Sequence, residues 1–256
     1  MKTYRLLIVV VCLLLFAFAS VKASGPKQED ELLGKRVTIR MDRKPLYTVM
    51  WRLIMKYDIA VGFEESKFDR NHRHYYFETD VPQNKDERAE FGDKVILPSV
   101  PLFSDHLITL DANDERLENV LNSIVRQMVN YQWEISDGVV DIFPSRGRDE
   151  RLVELLNTKV ADFWVGEGDV IGTIKARLML STPEFKSFLA ANELEYDTTE
   201  PGSSLSDQLL SEEMRFRNLT FRELLNSITR KKRGGWILQI KTRKEKPGKE
   251  YVELYI

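Results

Sequence analysis

Cysteine is almost missing from this sequence. Its 256 residues include one, Cys12, inside an apolar N-terminal run. If that run is removed on export, the mature chain has no thiol, which excludes disulfides, cysteine nucleophiles and cysteine metal sites. Histidine is scarce too, with only His72, His74 and His106. No second long apolar run follows the first, so the mature part is expected to be soluble. Signatures of common chemistry are also lacking: there is no Gly-x-Ser-x-Gly elbow, no Gly-x-x-x-x-Gly-Lys phosphate loop and no His-Glu-x-x-His helix. Their absence lowers the expectation of an enzyme without closing it, because 40 acidic residues always allow some acid/base pair in space.

The N-terminus has the three-part layout of a secretory signal peptide. Lys2 and Arg5 precede the apolar stretch Leu6 to Ala19, and Val21 and Ala23 sit at −3 and −1 of a cut before Ser24. The run is shorter than the roughly 20 residues of a membrane span, so cleavage is the reading taken here. A retained anchor is the competing one. The expected location is periplasmic or extracellular. Cleavage after residue 23 removes three basic residues and moves the formal charge from −2 to −5. A mildly acidic chain is a poor whole-protein ligand for nucleic acid.

Residues 24–36 are polar and read as a flexible lead. Val37, Ile39 and Met41 then alternate as a strand. Pro45 opens a helix whose apolar face is Leu46, Val49, Met50, Leu53 and Ile54, and a short strand follows at Val61 to Phe63. Residues 64–104, rich in charge and holding Pro82, Pro98 and Pro101, read as an irregular insertion with a short strand near Tyr75 to Phe77. Ile108, Leu110 and Ala112 form the next strand, with Asn113 or Asp114 as a helix cap. Leu117, Val120, Leu121, Ile124, Val125 and Met128 carry the helix, and Asp137-Gly138 turns a hairpin.

The same strand–helix–hairpin order returns at the C-terminus. Met214 and Phe216 mark a strand, Thr220 and Glu223 have capping-box spacing with Leu219 and Leu224 as a staple, and Gly234-Gly235 stop the helix. Trp236 and Val252 open the last two strands. Between the copies, Lys159 to Val165 reads as a strand, Asp169 to Leu178 as a helix and Thr182-Pro183-Glu184 as the start of another. A polar loop spans Asp197 to Asp207. The two key helices match directly: Leu121-Asn122-Ser123-Ile124-Val125-Arg126 against Leu225-Asn226-Ser227-Ile228-Thr229-Arg230, each followed by a tryptophan opening a strand. Internal duplication is one explanation. Convergence on a common amphipathic helix is the other.

Ile108 to Pro144, Val37 to Phe63 and Glu213 to Ile256 resemble the short N-terminal domain of secretins and TonB-dependent receptors. The resemblance rests on the Leu117-Glu118-Asn119-Val120-Leu121 helix core and the hairpin from Trp133 to Pro144. It implies a bacterial envelope protein that works through protein–protein contact and has no catalytic residues. With no pore or barrel region after Ile256, the expected role within such a system is that of a separate subunit.

Two sets of residues are candidates for chemistry. A His72-x-His74 pair on a strand places both imidazoles on one side, with His106 nearby and Asp105 or Glu78 as oxygen donors. Flanking Arg70 and Arg73 disfavour a cation, and exposed, non-ligating histidines are the plainer reading. The second set is basic: Met214 to Glu250 holds twelve basic residues against three acidic ones, including Arg230-Lys231-Lys232-Arg233, Lys241, Arg243 and Lys244. It reads as a surface for an anionic polymer or lipid, or as internal pairing with the acidic stretch Glu184 to Glu213.

The expected fold is α+β, with amphipathic helices packed on small mixed or antiparallel sheets in two related modules, 37–145 and 151–256. The expected function is an exported interaction or assembly module with a protein partner in the envelope. The alternative is a metal- or ligand-binding protein or enzyme with its site in residues 64–106. No residue is assigned a catalytic, cofactor or metal role, and no cofactor is expected.

Overall fold

The computed structural model describes residues 26–68, 75–76, 100–101, 107–196, 212–243 and 246–256. The signal-peptide reading of residues 1–23, His72, His74, His106 and the loop from Asp197 to Asp207 fall outside the described residues, as does most of the insertion.

The chain is α+β. Its first half runs helix α1 (Pro26–Leu33), strand β1 (Arg36–Pro45), helix α2 (Leu46–Tyr57), strand β2 (Val61–Glu64), the short antiparallel pair β3 (Tyr75–Tyr76) and β4 (Val100–Pro101), strand β5 (Leu107–Arg116), helix α3 (Leu117–Gln127) and the hairpin β6 (Tyr131–Ser136) and β7 (Val139–Pro144). Its second half runs α4 (Glu150–Asn157), β8 (Lys159–Val165), α5 (Ile171–Ser181), α6 (Pro183–Ala191), β9 (Glu195–Tyr196), β10 (Met214–Thr220), α7 (Phe221–Lys232) and the hairpin β11 (Gly235–Arg243) and β12 (Lys246–Tyr255).

The halves share one wiring. In each, an antiparallel ribbon (β1 with β5, β8 with β10) packs with the helices, and a hairpin pairs its second strand in parallel with a short strand: β7 with β2, β12 with β9. One backbone bond recurs in register: the first N–H of α3, on Leu117, donates to Lys35 O at 2.8 Å, and the first N–H of α7, on Phe221, donates to Thr158 O at 2.9 Å. Each acceptor immediately precedes the half's first ribbon strand.

Separate small sheets were expected, but the structure joins them. β2 pairs in parallel with β11, giving one six-stranded sheet in the order β6-β7-β2-β11-β12-β9. The two hydrophobic cores lie on opposite faces of it. Val61, Phe63, Val140, Ile142, Ile237 and Tyr255 belong to the core of α2 and α3, whereas Trp236, Leu238, Ile240, Val252, Leu254 and Ile256 belong to the core of α7. Strands β6, β12 and β9 run one way and β7, β2 and β11 the other. The halves are therefore related by a half-turn about an axis across the strands combined with a shift of three strands.

Several local expectations change. The lead is not a loop throughout, since Pro26–Leu33 is helical and Leu32 and Leu33 pack on the first core. Neither Asn113 nor Asp114 caps α3, because pairing with β1 carries β5 on to Arg116, which precedes the helix. The residue in the left-handed conformation that ends α7 is Arg233 (φ 50°), not a glycine; Gly234 follows it and donates to Thr229 O at 2.9 Å. The segment between Pro144 and Glu150, read as a boundary, separates β7 from a helix that was not expected, α4. There Asp149 accepts from Arg151 N at 2.9 Å as an N-cap, and Leu152, Leu155 and Leu156 are buried. The hairpin turn agrees with expectation: Asp137 (φ 51°) and Gly138 (φ 75°) both adopt positive φ, and Thr220 with Glu223 forms the capping box.

Candidate interaction site

Asparagine and tryptophan mark the corresponding place in both halves. The matched helices put Asn122 on α3 and Asn226 on α7. Each asparagine Oδ1 accepts the indole N–H of the tryptophan that follows its helix: Trp133 at 3.1 Å and Trp236 at 2.8 Å. The chemistry is the same, and the surroundings are not. Trp236 is fully buried beneath β2, while Trp133 is half-buried on edge strand β6.

Strand β2 covers the second copy. In the β2–β11 register Gly62 lies opposite Trp236, and a Cβ on Gly62 would come within 2.4 Å of the indole ring and 2.5 Å of Asp141 Oδ1. Only a residue without a side chain lets the strand approach the ring this closely. Asn226 Nδ2 reaches across to Ser136 O at 3.2 Å, and Arg230 donates to Asp137 O at 2.7 Å, so α7 also grips the β6–β7 turn of the first half.

Beneath α7 the junction is ionic. Arg222 donates to Asp141 at 2.7 Å and to Glu64 at 2.5 Å, and Arg148 donates twice to Glu64, at 2.6 and 2.8 Å. Glu64 and Asp141 are buried, at 0% and 1% exposure. Among the described residues, Asp141 Oδ1 has no hydrogen-bond partner. Burial pushes the Asp141 carboxyl up to about 7; the charge and hydrogen bond of Arg222 pull it back, and the charges of Glu64 and Glu134 add to the rise. Between about 4, the ordinary value in an unfolded chain, and about 7, the native state holds a proton that the unfolded state has lost. Stability contributed by this group is present below that window and lost as pH rises through it. Asp141→Asn should flatten the fall, whose upper limit is about 1.4 kcal/mol per pH unit. Denaturation curves of both proteins from pH 4 to 8 check this, and parallel profiles would contradict it.

The halves also meet at a cleft of about 300 Å³ lined by Glu31, Lys35, Asp58, Gly138, Arg230 and Arg233. Its cations already have partners: Lys35 Nζ donates to Tyr57 O at 3.3 Å, and Arg233 lies 3.6 Å from Asp58.

Among the described residues, the basic segment singled out from the sequence does not gather into one free patch. Lys232 is buried and donates to Asp169 O at 3.2 Å; burial holds its pKa below the usual lysine value. Lys241 is buried against Glu253, Lys249 pairs with Glu195, and Lys231 lies 4.0 Å from Glu212. The Arg243 side chain and Lys244 fall outside what the structure describes. Two of these pairs join the acidic stretch to the basic one, as the internal-pairing reading expected. Among the described residues no His, Cys, Asp or Glu side chains are grouped to hold a metal ion, and no helix is long and apolar enough to cross a membrane.

No family model, curated protein or solved structure matches the chain. Sequence reasoning found the repeated motif but missed the shared sheet and the Glu64–Asp141–Arg222–Arg148 cluster. Gly62, a lone glycine inside a strand pattern, was the one signal of close backbone approach.

Proposed function

We propose that the protein is an exported, non-catalytic interaction and assembly module of the cell envelope, and that it receives a protein partner along the open edge of β6. The observation that carries this reading is the unequal burial of the two asparagine–tryptophan pairs. In the second half, the hairpin edge beside the tryptophan is filled by a strand from the rest of the chain. In the first half, the equivalent edge has no strand beside it among the described residues.

The two-residue turn makes Ser136 and Val139 a hydrogen-bonded pair, so the N–H and C=O groups of Trp133 and Ile135 point away from β7. An outward row of backbone donors and acceptors beside a half-buried indole is the surface that strand addition uses: main-chain bonds give affinity and side-chain pockets give specificity. The signal-peptide layout supports the envelope location, and the resemblance to the short N-terminal domain of secretins and TonB-dependent receptors supports a contact role.

A photo-crosslinking residue at Gln132, exposed on β6, tests this in envelopes of the source cell. Reproducible protein adducts should form at this position, be lost on Ile135→Pro, and be absent when the probe is placed at exposed Glu167. Equal labelling at both positions, or labelling indifferent to the proline, would overturn the reading.

A further inference from the structure

Resting on that reading, we infer that the strand seated on β6 is β9 of a second copy of this chain, so that molecules join head to tail through one continuous sheet. The junction inside the chain is the template. There, the first strand of a hairpin (β11) accepts, in parallel, the short strand that follows a helix in the other half (β2). Each half contributes one hairpin edge and one short-strand edge, and the intramolecular junction uses one of each. The two left over, β6 and β9, form the opposite ends of the six-stranded sheet, and among the described residues neither has a strand on its far side.

Direction and face both fit. β6 and β9 run the same way in one molecule, so a second copy placed beside the first by translation alone brings β9 parallel to β6, as β2 is parallel to β11. The helical cores already alternate across the sheet, first half on one face and second half on the other. Translation continues that alternation. The partner's β9, Glu195–Tyr196, would run parallel to β6 and extend the sheet by one strand. On α3, Asn122 and Arg126 hold the positions from which Asn226 and Arg230 grip the neighbouring hairpin turn. Arg126 instead turns back onto Asn122 O at 3.0 Å.

A contact between two unlike edges is heterologous, so it does not stop at a dimer unless the twist of the sheet closes a ring. An isologous contact, β6 against β6, would oppose Glu134 to its own copy when the axis passes through that residue, a destabilising like-charge pair.

Sedimentation velocity on the purified protein and on two edge variants tests the inference. Ile135→Pro blocks β6, and Glu195→Pro blocks β9. The unaltered protein should grow beyond dimer mass as concentration rises. Each variant alone should stay monomeric, and an equimolar mixture should form a one-to-one dimer and grow no further, since one free edge of each kind remains. Circular dichroism verifies the fold; if either proline unfolds the chain, Ile135→Lys and Glu195→Lys replace them. An unaltered protein that stays monomeric throughout, or a mixture that forms no dimer, overturns the inference. Edge-specific adducts at Gln132 carrying a different protein would then leave the proposed function standing while removing the second copy as the occupant.

Discussion

Arg222→Ala is expected to destabilise the protein by about 3–5 kcal/mol, the range for breaking a buried ion pair from one side. The reason is what stays behind. Glu64 and Asp141 are both buried, and Arg222 is the cation that bridges them. Arg148 can still answer Glu64, but among the described residues Asp141 has no second cation and already carries one unpartnered oxygen. Arg222 is itself held above the ordinary arginine range: burial alone would lower it, and the charges and hydrogen bonds of Glu64 and Asp141 outweigh that. Neutralising the whole group should do less harm than removing the cation. Arg222→Met combined with Glu64→Gln and Asp141→Asn is expected to lose less stability than Arg222→Ala alone, because the penalty comes from buried carboxyl groups that lose their partner and must either stay charged or take up a proton. Urea denaturation of both variants at pH 7.5 measures the difference. A loss below about 1 kcal/mol for Arg222→Ala, as for surface pairs, would contradict the buried bridge.

The cluster also joins the halves. Glu64 and Asp141 come from the first half and Arg222 from the second, and they meet on the face of β2 and β7 that the first core does not use. A basic residue on the exposed-looking flank of an amphipathic helix would ordinarily be read as solvated. Here α7 lies over its neighbour's sheet, so that flank is buried. Lys232, in a run of four basic residues, is buried for a different reason: its ammonium donates to Asp169 O within the second half.

What the sequence made legible was local and periodic. Alternation located β1, β5 and β8; helical spacing located α2, α3 and α7; Asp137-Gly138 located the turn; and the shared Leu-Asn-Ser-Ile segments marked two helices that hold the same place in the wiring of each half. Two helices escaped. In α1 only Leu32 and Leu33 are apolar, both at its end, so no stripe shows. In α4 the charges around Arg148 to Glu150 suggested a linker, although Asp149 as a cap with Leu152, Leu155 and Leu156 is a helix pattern once sought. The single shared sheet was not legible at all. Parallel pairing of β2 with β11 joins segments about 170 residues apart, and nothing in the local pattern of either strand names its partner. Histidine positions gave a metal alternative that lies outside the described residues.

Trp236→Ala and Trp133→Ala offer the sharpest comparison, because both remove an indole that donates to an asparagine on the preceding helix. For Trp236 the loss includes the packing against β2 at Gly62, the ring face under Arg222 at 5.8 Å, and a buried Asn226 left without its indole donor. About 3–5 kcal/mol is expected, the range for deleting a large aromatic from a core. Trp133 keeps part of its ring in solvent, and about 1–2 kcal/mol is expected for its removal. Unfolding free energies of the two variants at a concentration where the protein is monomeric therefore test whether one unit is used twice, with its edge filled in the second half and open in the first. The account predicts that Trp236→Ala costs at least twice as much as Trp133→Ala. Equal losses, or the reverse order, would mean that the two edges are covered alike, and the open edge on β6 would be gone.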